Sequence, residues 1–230
     1  MKHVLVRALL ALAAGLAVHA SQAQVAPTAS QARAYTGLHA AAWTGELARI
    51  RQLASTGADL NAPDVHGRTP LHVAAFARQR GAITALAQAG ADLNRLENDR
   101  YDAVTIAAVA DDEQTLRTLL ALGASARQTT SRYDGTALIA AAHLGHAGVV
   151  RQLVGAGAPL DHVNNLHWTA IIEAIVLGDG GARHQATLKT LIDAGANVQL
   201  SDRSGATPLQ LARSRGYREM VDMLQAAGAR

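Results

Sequence analysis

The chain has 230 residues, enough for one or two domains or a single repeat array, and 49% of them are apolar although only 3% are aromatic. The apolar share is therefore mainly Ala and Leu, which points to closely packed helices rather than to a core built on large rings. The formal charge of +3 falls to +1 once Lys2 and Arg7 near the N-terminus are set aside, which argues against a general binder of nucleic acid or membrane surfaces. The absence of cysteine excludes disulfides, thiolate catalysis, Cys-ligated zinc and a lipoprotein anchor.

Residues 1–7 (MKHVLVR) form a short positive segment, residues 8–18 (ALLALAAGLAV) an uncharged apolar run, and Ser21-Gln22-Ala23 a small-x-small triplet. That order is the three-part secretory signal pattern, read here as a signal peptide over residues 1–23 with Ala20 as the alternative cleavage point. The apolar run is too short to cross a bilayer, which takes about 20 residues; the competing reading is a buried N-terminal helix. The pattern predicts export to the periplasm, with full secretion as the alternative, and no membrane insertion after cleavage. Residues 24–35 read as a lead-in, and residues 36–230 as one repeat domain.

After the leader, Gly-Ala recurs at Gly57, Gly90, Gly123, Gly157, Gly195 and Gly228, with spacings of 33, 33, 34, 38 and 33. Twenty-one residues before five of these glycines stands Thr36, Thr69, Asp102, Thr136 or Thr207; in the fifth unit Thr169 precedes Gly195 by 26, so that unit carries a five-residue insertion at 179–183. A fixed period of this length marks a solenoid. Within each unit Thr or Asp is a good N-cap, and Pro70 suits the first helical position. An Ala-rich first helix follows, as in Val73-Ala74-Ala75, Ile106-Ala107-Ala108 and Ala140-Ala141-Ala142. After a turn, the second helix has apolar residues at helical spacing, such as Val149, Val150, Leu153 and Val154, and the closing Gly supplies a left-handed cap.

These residues resemble the ankyrin repeat. Residues 64–72 (DVHGRTPLH) with 90–94 (GADLN) match nearly the whole family pattern, and 201–229 match it again with Gln210 in place of the histidine. Repeats three to five depart most, with Thr105, Ile139 and Ile172 at the histidine position. The resemblance implies an all-α solenoid of about six helix–turn–helix repeats with short β-hairpins, curved so that it has a concave face, and stabilised by contacts between neighbouring repeats.

It also implies where partners touch: four, three and one residues before the Thr, at the hairpin tip, and seven and eight after it, at the end of the first helix. Six of the seven aromatics fall there, namely Tyr35, Trp43, Phe76, Tyr101, Tyr133 and Trp168, while Tyr217 reads as structural. Arg33, Arg68, Arg132, Arg203 and Arg215 share these positions against a single acid, Asp99. The partner-binding set is therefore Tyr35, Trp43, Arg68, Phe76, Tyr101, Arg132, Tyr133 and Trp168, an aromatic and arginine composition suited to binding hot spots. The alternative for each ring is packing between repeats. The expected partner is a protein or peptide, acidic with exposed apolar residues, bound by a monomer.

Other chemistry is thinner. His143 and His146 have an H-x-x-H spacing, but a zinc site needs three or four converging ligands. Glu173 stands in an apolar helix, where burial raises a carboxyl pKa unless the group is paired; His167, Arg183 and the next hairpin are candidate partners. The glycines of the insertion are weak grounds for an anion site. No phosphate-loop, nucleophile-elbow or HExxH pattern is present, so no cofactor or metal is expected. The rival functions are an enzyme using Glu173, His167, Asp179 and His184, and, more remotely, a single-stranded nucleic-acid binder. For the leader, N-terminal sequencing of the mature protein is expected to find a start at Gln24, or at Ser21 if cleavage follows Ala20; an intact Met1 in a cytoplasmic fraction would refute export.

Overall fold

A computed structural model describes residues 25–230; the leader reading lies outside them. A short helix α1 (Ala29–Ala34) leads into six helix pairs: α2 (Gly37–Thr44) with α3 (Leu47–Ser55), α4 (Pro70–Phe76) with α5 (Arg80–Ala89), α6 (Ala103–Val109) with α7 (Glu113–Ala121), α8 (Ala137–His143) with α9 (Ala147–Gly155), α10 (Ala170–Val176) with α11 (Ala182–Asp193), and α12 (Pro208–Ser214) with α13 (Arg218–Ala226). The first helices of the pairs stack in chain order as one row and the second helices as another. Each pair meets only its neighbours, as a solenoid requires.

The caps read from the sequence explain where most first helices begin. Thr69 accepts a hydrogen bond from the His72 amide, and its own amide donates to His72 Nδ1, closing a reciprocal box. Thr136, Thr169 and Thr207 accept from the amides three residues on, and Asp102 Oδ1 accepts the Thr105 amide at 2.7 Å. Thr36 is the exception, since its side chain makes no cap bond to α2. Alanines on the first helices, including Ala74, Ala107, Ala108, Ala141, Ala142 and Ala174, are at most 1% exposed and let that row close up. The larger side chains of the second row, such as Ile83, Leu116, Leu119, Leu153 and Leu188, are fully buried beside it, each stabilising by about 1.5–3 kcal/mol through burial.

Histidine ties the first repeats together: His39 Nε2 reaches the Arg68 carbonyl oxygen at 2.9 Å, and His72 Nε2 reaches that of Tyr101 at 3.1 Å. His72 is 1% exposed, and burial pushes its pKa down to about 4, so it serves as a neutral bridge. The connections differ from the expected β-hairpins. Among the described residues only β1 (Thr129–Thr130) and β2 (Gly135–Thr136) pair as strands. Elsewhere one side chain folds the tip by accepting two amides: Asp64 those of His66 and Arg68, Glu97 those of Asp99 and Tyr101, Asn164 those of Leu166 and Trp168, and Asp202 those of Ser204 and Ala206. A side chain that satisfies the turn makes a ladder unnecessary. In repeat four Ser131 stands at the same offset from the Thr and takes only the Tyr133 amide, and there the ladder appears.

The insertion in repeat five is held from within and from below. Asp179 Oδ1 accepts the Gly181 amide and faces His184 Nδ1 at 2.9 Å, while Tyr217 donates to the Gly178 carbonyl at 2.9 Å and lies directly beneath Gly180. Tyr217 is thus a structural ring, and the acid within the loop leaves no anion cradle there.

All six period-marking glycines have positive φ, from +78° to +100°. Around Gly123 a β-carbon would meet nothing within 4 Å, so backbone strain alone opposes substitution. Gly123→Val is expected to cost at least about 1 kcal/mol, and Gly123→Asn markedly less, because asparagine tolerates the left-handed region. Thermal denaturation of the two variants measures the difference.

Candidate functional site

The proposed contact residues separate into two groups. Tyr35, Trp43 and Phe76 are part-buried and pack against the core. Tyr35 donates to Asp64 Oδ2 at 2.8 Å and stacks on the His39 ring; burial and the Asp64 carboxylate push its phenol up to about 12. Phe76 lies under the Arg68 guanidinium at 5.6 Å. Arg68 itself, expected as a contact residue, is 3% exposed: Asp64 lies at 3.8 Å and the Val25 carbonyl accepts its guanidinium. The lead-in packs over this arginine and removes it from any binding surface, which corrects the sequence reading.

Three other arginines are also engaged. Arg132 pairs with Asp99 at 3.3 Å, Arg203 donates to the Asn165 carbonyl at 2.7 Å, and Arg215 to that of Val176 at 3.1 Å. Each bond joins one repeat to its neighbour. Of the five arginines on which the acidic-partner expectation rested, Arg68 and Arg132 face a carboxylate, while Arg203 and Arg215 keep their charge on neutral carbonyls.

Tyr101, Tyr133 and Trp168 form the second group. Tyr133, 40% exposed, is the only aromatic in the exposed class among the described residues, and Tyr101 and Trp168 are part-buried. Tyr101 and Tyr133 line an open cavity of 310 Å³ between the tips and the first helices of repeats three, four and five. That volume sits at the lower end of the range for small-ligand pockets, about 300–1,000 Å³. Val109, Ile139, Ala140 and Leu144 supply apolar wall, Thr105, Thr130 and Thr136 supply hydroxyls, and His143, Asn164 and Glu173 complete the lining. Trp168 is not part of that lining; its amide is bound by Asn164 in the turn above α10.

Glu173 is the chemical centre of the cavity. It is 5% exposed, and its Oε1 accepts a hydrogen bond from Asn164 Nδ2 at 3.0 Å. Its Oε2 stands 3.7 Å from His143 Nδ1, beyond hydrogen-bond reach. Burial pushes the carboxyl up to about 7, against the opposing pull of the Asn164 bond. Burial, with His184 and His146 nearby, lowers His143 in turn, so the pair is not a stable ion pair. The partners anticipated from sequence lie elsewhere. The His167 amide donates to the Asn164 carbonyl, Arg183 pairs with Asp111 at 3.1 Å, and His184 lies between Asp179 and the His143 carbonyl. The four-residue catalytic set Glu173, His167, Asp179 and His184 is therefore not assembled around the cavity. Among the described residues no group of three or more His, Asp or Glu is arranged to hold a metal ion.

The Asn164–Glu173 pairing was missed because its signal lies in the repeat alignment. Asn164 occupies the turn position that carries Asp64, Glu97 and Asp202 elsewhere, and Glu173, four after the cap, replaces Ala40, Val73, Ile106, Ala140 and Leu211. One repeat thus combines an amide where its relatives have an acid with an acid where they have a hydrocarbon.

A carboxyl whose pKa is raised in the folded state contributes its stability fully below the unfolded value near 4.5, and loses it as pH rises through about 7. Glu173→Gln, which keeps the bond from Asn164, is expected to flatten this dependence. The variant should match the wild type at pH 4 and exceed it at pH 8 by on the order of 2–3 kcal/mol. Denaturant titrations of both proteins across that range provide the check.

Family models for ankyrin repeats match residues 4–97 and 104–202 (three copies) and 181–225 (many copies). The putative ankyrin repeat protein YahD of Escherichia coli K12 is 41% identical over 100 residues, 43% of this chain; the match spans about half the length of that relative. An ankyrin repeat domain from Acinetobacter baumannii AYE is 43% identical, with a TM-score of 0.79 over 84% of this chain and 98% of that one. The ankyrin repeat domain of Bcl-3, described as a unique member of the IkappaB protein family, is 28% identical with a TM-score of 0.76, covering 86% and 88% of the two chains. With the capped helix pairs, the period and these matches in agreement, the chain belongs to the ankyrin-repeat family.

Proposed function

We propose that this array recognises a protein or peptide segment at the face formed by the tips and first helices, with the cavity of repeats three to five as its centre, and that it does so as a monomer outside the cytoplasm. Ankyrin repeats are generally protein–protein interaction modules, typically non-enzymatic scaffolds. The observation that carries the reading is the open cavity of 310 Å³ with the Tyr101 and Tyr133 rings in its lining. Rings of this kind offer large contact area with few rotatable bonds, so ordering them on binding costs little. The leader pattern supports the extracytoplasmic setting. The near-neutral charge of the remainder counts against a nucleic-acid ligand.

The cavity also carries the one observation favouring catalysis, a carboxyl with a pKa near 7 open to an accessible pocket. No lining hydroxyl is hydrogen-bonded to Glu173, however. Thr105 donates to Asp102, Thr136 caps α8, and Ser131 accepts the Tyr133 amide, so no activated nucleophile pairs with the carboxyl. Recognition uses the arrangement as it stands.

The segment is expected to bring exposed apolar residues to the cavity rim and to meet Trp168 beside it. Selection from a displayed random peptide library, followed by titration of the winners, tests this. Tyr133→Ala is expected to weaken binding about 30-fold, as hot-spot truncations of about 2 kcal/mol do, with a stability change under about 0.5 kcal/mol. Tyr35→Ala should show the reverse, a lower melting temperature with binding intact in the folded fraction. Equal binding by the wild type and a Tyr101→Ala/Tyr133→Ala double variant would refute the assignment of this face.

A further inference from the structure

The cavity contains a carboxyl group without a cationic partner. Its floor carries Glu173, nine-tenths or more buried, and no lysine or arginine contributes to the lining. Removing a carboxylate from water is costly unless a cation or a full set of donors replaces the water. Here Asn164 supplies one donor, and His143 stands at 3.7 Å without bonding. Asn164 Oδ1 already accepts the Leu166 and Trp168 amides, and one N–H of its Nδ2 holds Glu173 Oε1. The second carboxylate oxygen is left without a hydrogen-bonding partner.

The substitution pattern argues against a stray acid. At the position of Glu173 the five other repeats carry only Ala, Val, Ile or Leu, any of which would pack at no electrostatic cost. At the turn position of Asn164 three other repeats carry Asp or Glu, which in repeat five would stand beside the Glu173 carboxylate and repel it. Repeat five differs at both places, and the two differences meet in one hydrogen bond that orients the carboxylate.

We infer that the cavity seats an alkylammonium group, the side chain of a lysine in the bound segment, with its ammonium on the free oxygen of Glu173 and its methylene stem along Val109, Ile139 and Leu144 beside the Tyr101 and Tyr133 rings. The inference rests on the recognition reading above and names the anchor residue of the partner. Three features select this chemistry. The apolar wall suits a hydrocarbon stem with a charged tip. The two tyrosine rings add cation–π attraction. A single free oxygen suits a compact point charge better than the bidentate fork of a guanidinium, which needs both oxygens.

The test titrates the full-length protein with Nα-acetyl-lysine methylamide and with its norleucine, Nε-acetyl-lysine and arginine counterparts, followed by the NMR shifts of Tyr101, Tyr133 and His143. Glu173→Gln serves as the variant that keeps the Asn164 bond, and a melting temperature at pH 8 no lower than that of the wild type verifies its fold. The lysine compound is expected to move all three residues, to bind at least tenfold more tightly than the norleucine and Nε-acetyl compounds, and to lose at least tenfold in Glu173→Gln. Equal affinity for norleucine, tighter binding of arginine than of lysine, or an unchanged affinity in Glu173→Gln would each overturn the inference. The peptides selected on the intact protein separate the two levels of the argument. Peptides that require Tyr101 and Tyr133 but neither a lysine nor Glu173 would overturn the lysine anchor and leave recognition standing. Peptides indifferent to all three residues would overturn both.

Discussion

A helix of seven residues does not hold together alone in water, where even Ala-rich helices need about 12–15 residues to be marginally stable. Five of the six first helices of the repeats have that length. Their persistence depends on being capped at one end and covered on both sides by the next repeat. The decisive contacts are therefore those that pass from one repeat to the next. Buried alanines allow close approach, His39 and His72 reach the following connection, and three of the tips bond through the backbone to the one before, from Asn98 to His66, Ser131 to Arg100 and Asn165 to Tyr133. Arginine side chains add to the same series, as from Arg132 to Asp99 and from Arg203 to the Asn165 carbonyl.

Against that uniform background the site is made by a small number of departures. Repeat four lacks the acid or amide side chain that folds the other tips, and its connection forms the one strand pair among the described residues, with Gly135 and Thr136 on the cavity wall. Repeat five exchanges hydrocarbon for Glu173 and acid for Asn164. Neither change disturbs the helix caps: Thr136 and Thr169 still bind the amides three residues ahead. The scaffold and the chemistry are thus carried by different residues of the same repeats, a division common where function is grafted onto a shared fold.

Much of the scaffold was legible in the sequence because its signals are local. A threonine cap, an alanine run and a positive-φ glycine each act within a few residues of themselves, and their recurrence marked the helix pairs, although Ala182 and Arg183 of the predicted insertion begin α11. The site was legible only in part. Tyr101 and Tyr133, singled out by their place in the repeat, line one cavity. The burial of Arg68 was not legible, because it depends on Val25, 43 residues away across the lead-in. The partner of Glu173 was hidden for a related reason: Asn164 is nine residues distant along the chain and reaches the carboxylate through the turn of the connection. Aromatic spacing alone could not separate rings that pack, such as Tyr35 and Phe76, from those that line an opening.

The cavity takes its walls from three consecutive repeats, with Tyr101 and Val109 from the third, Ile139 and His143 from the fourth, and Asn164 and Glu173 from the fifth. Arrays of this kind change length over generations by gaining or losing whole units, and most such changes preserve the fold because every junction is alike. Here the junctions are not alike. A unit duplicated or deleted between Tyr101 and Glu173 would leave a well-folded solenoid with the aromatic wall and the carboxylate in separate places. Keeping the aromatic wall and the carboxylate in one pocket therefore requires the present number and order of units between Tyr101 and Glu173.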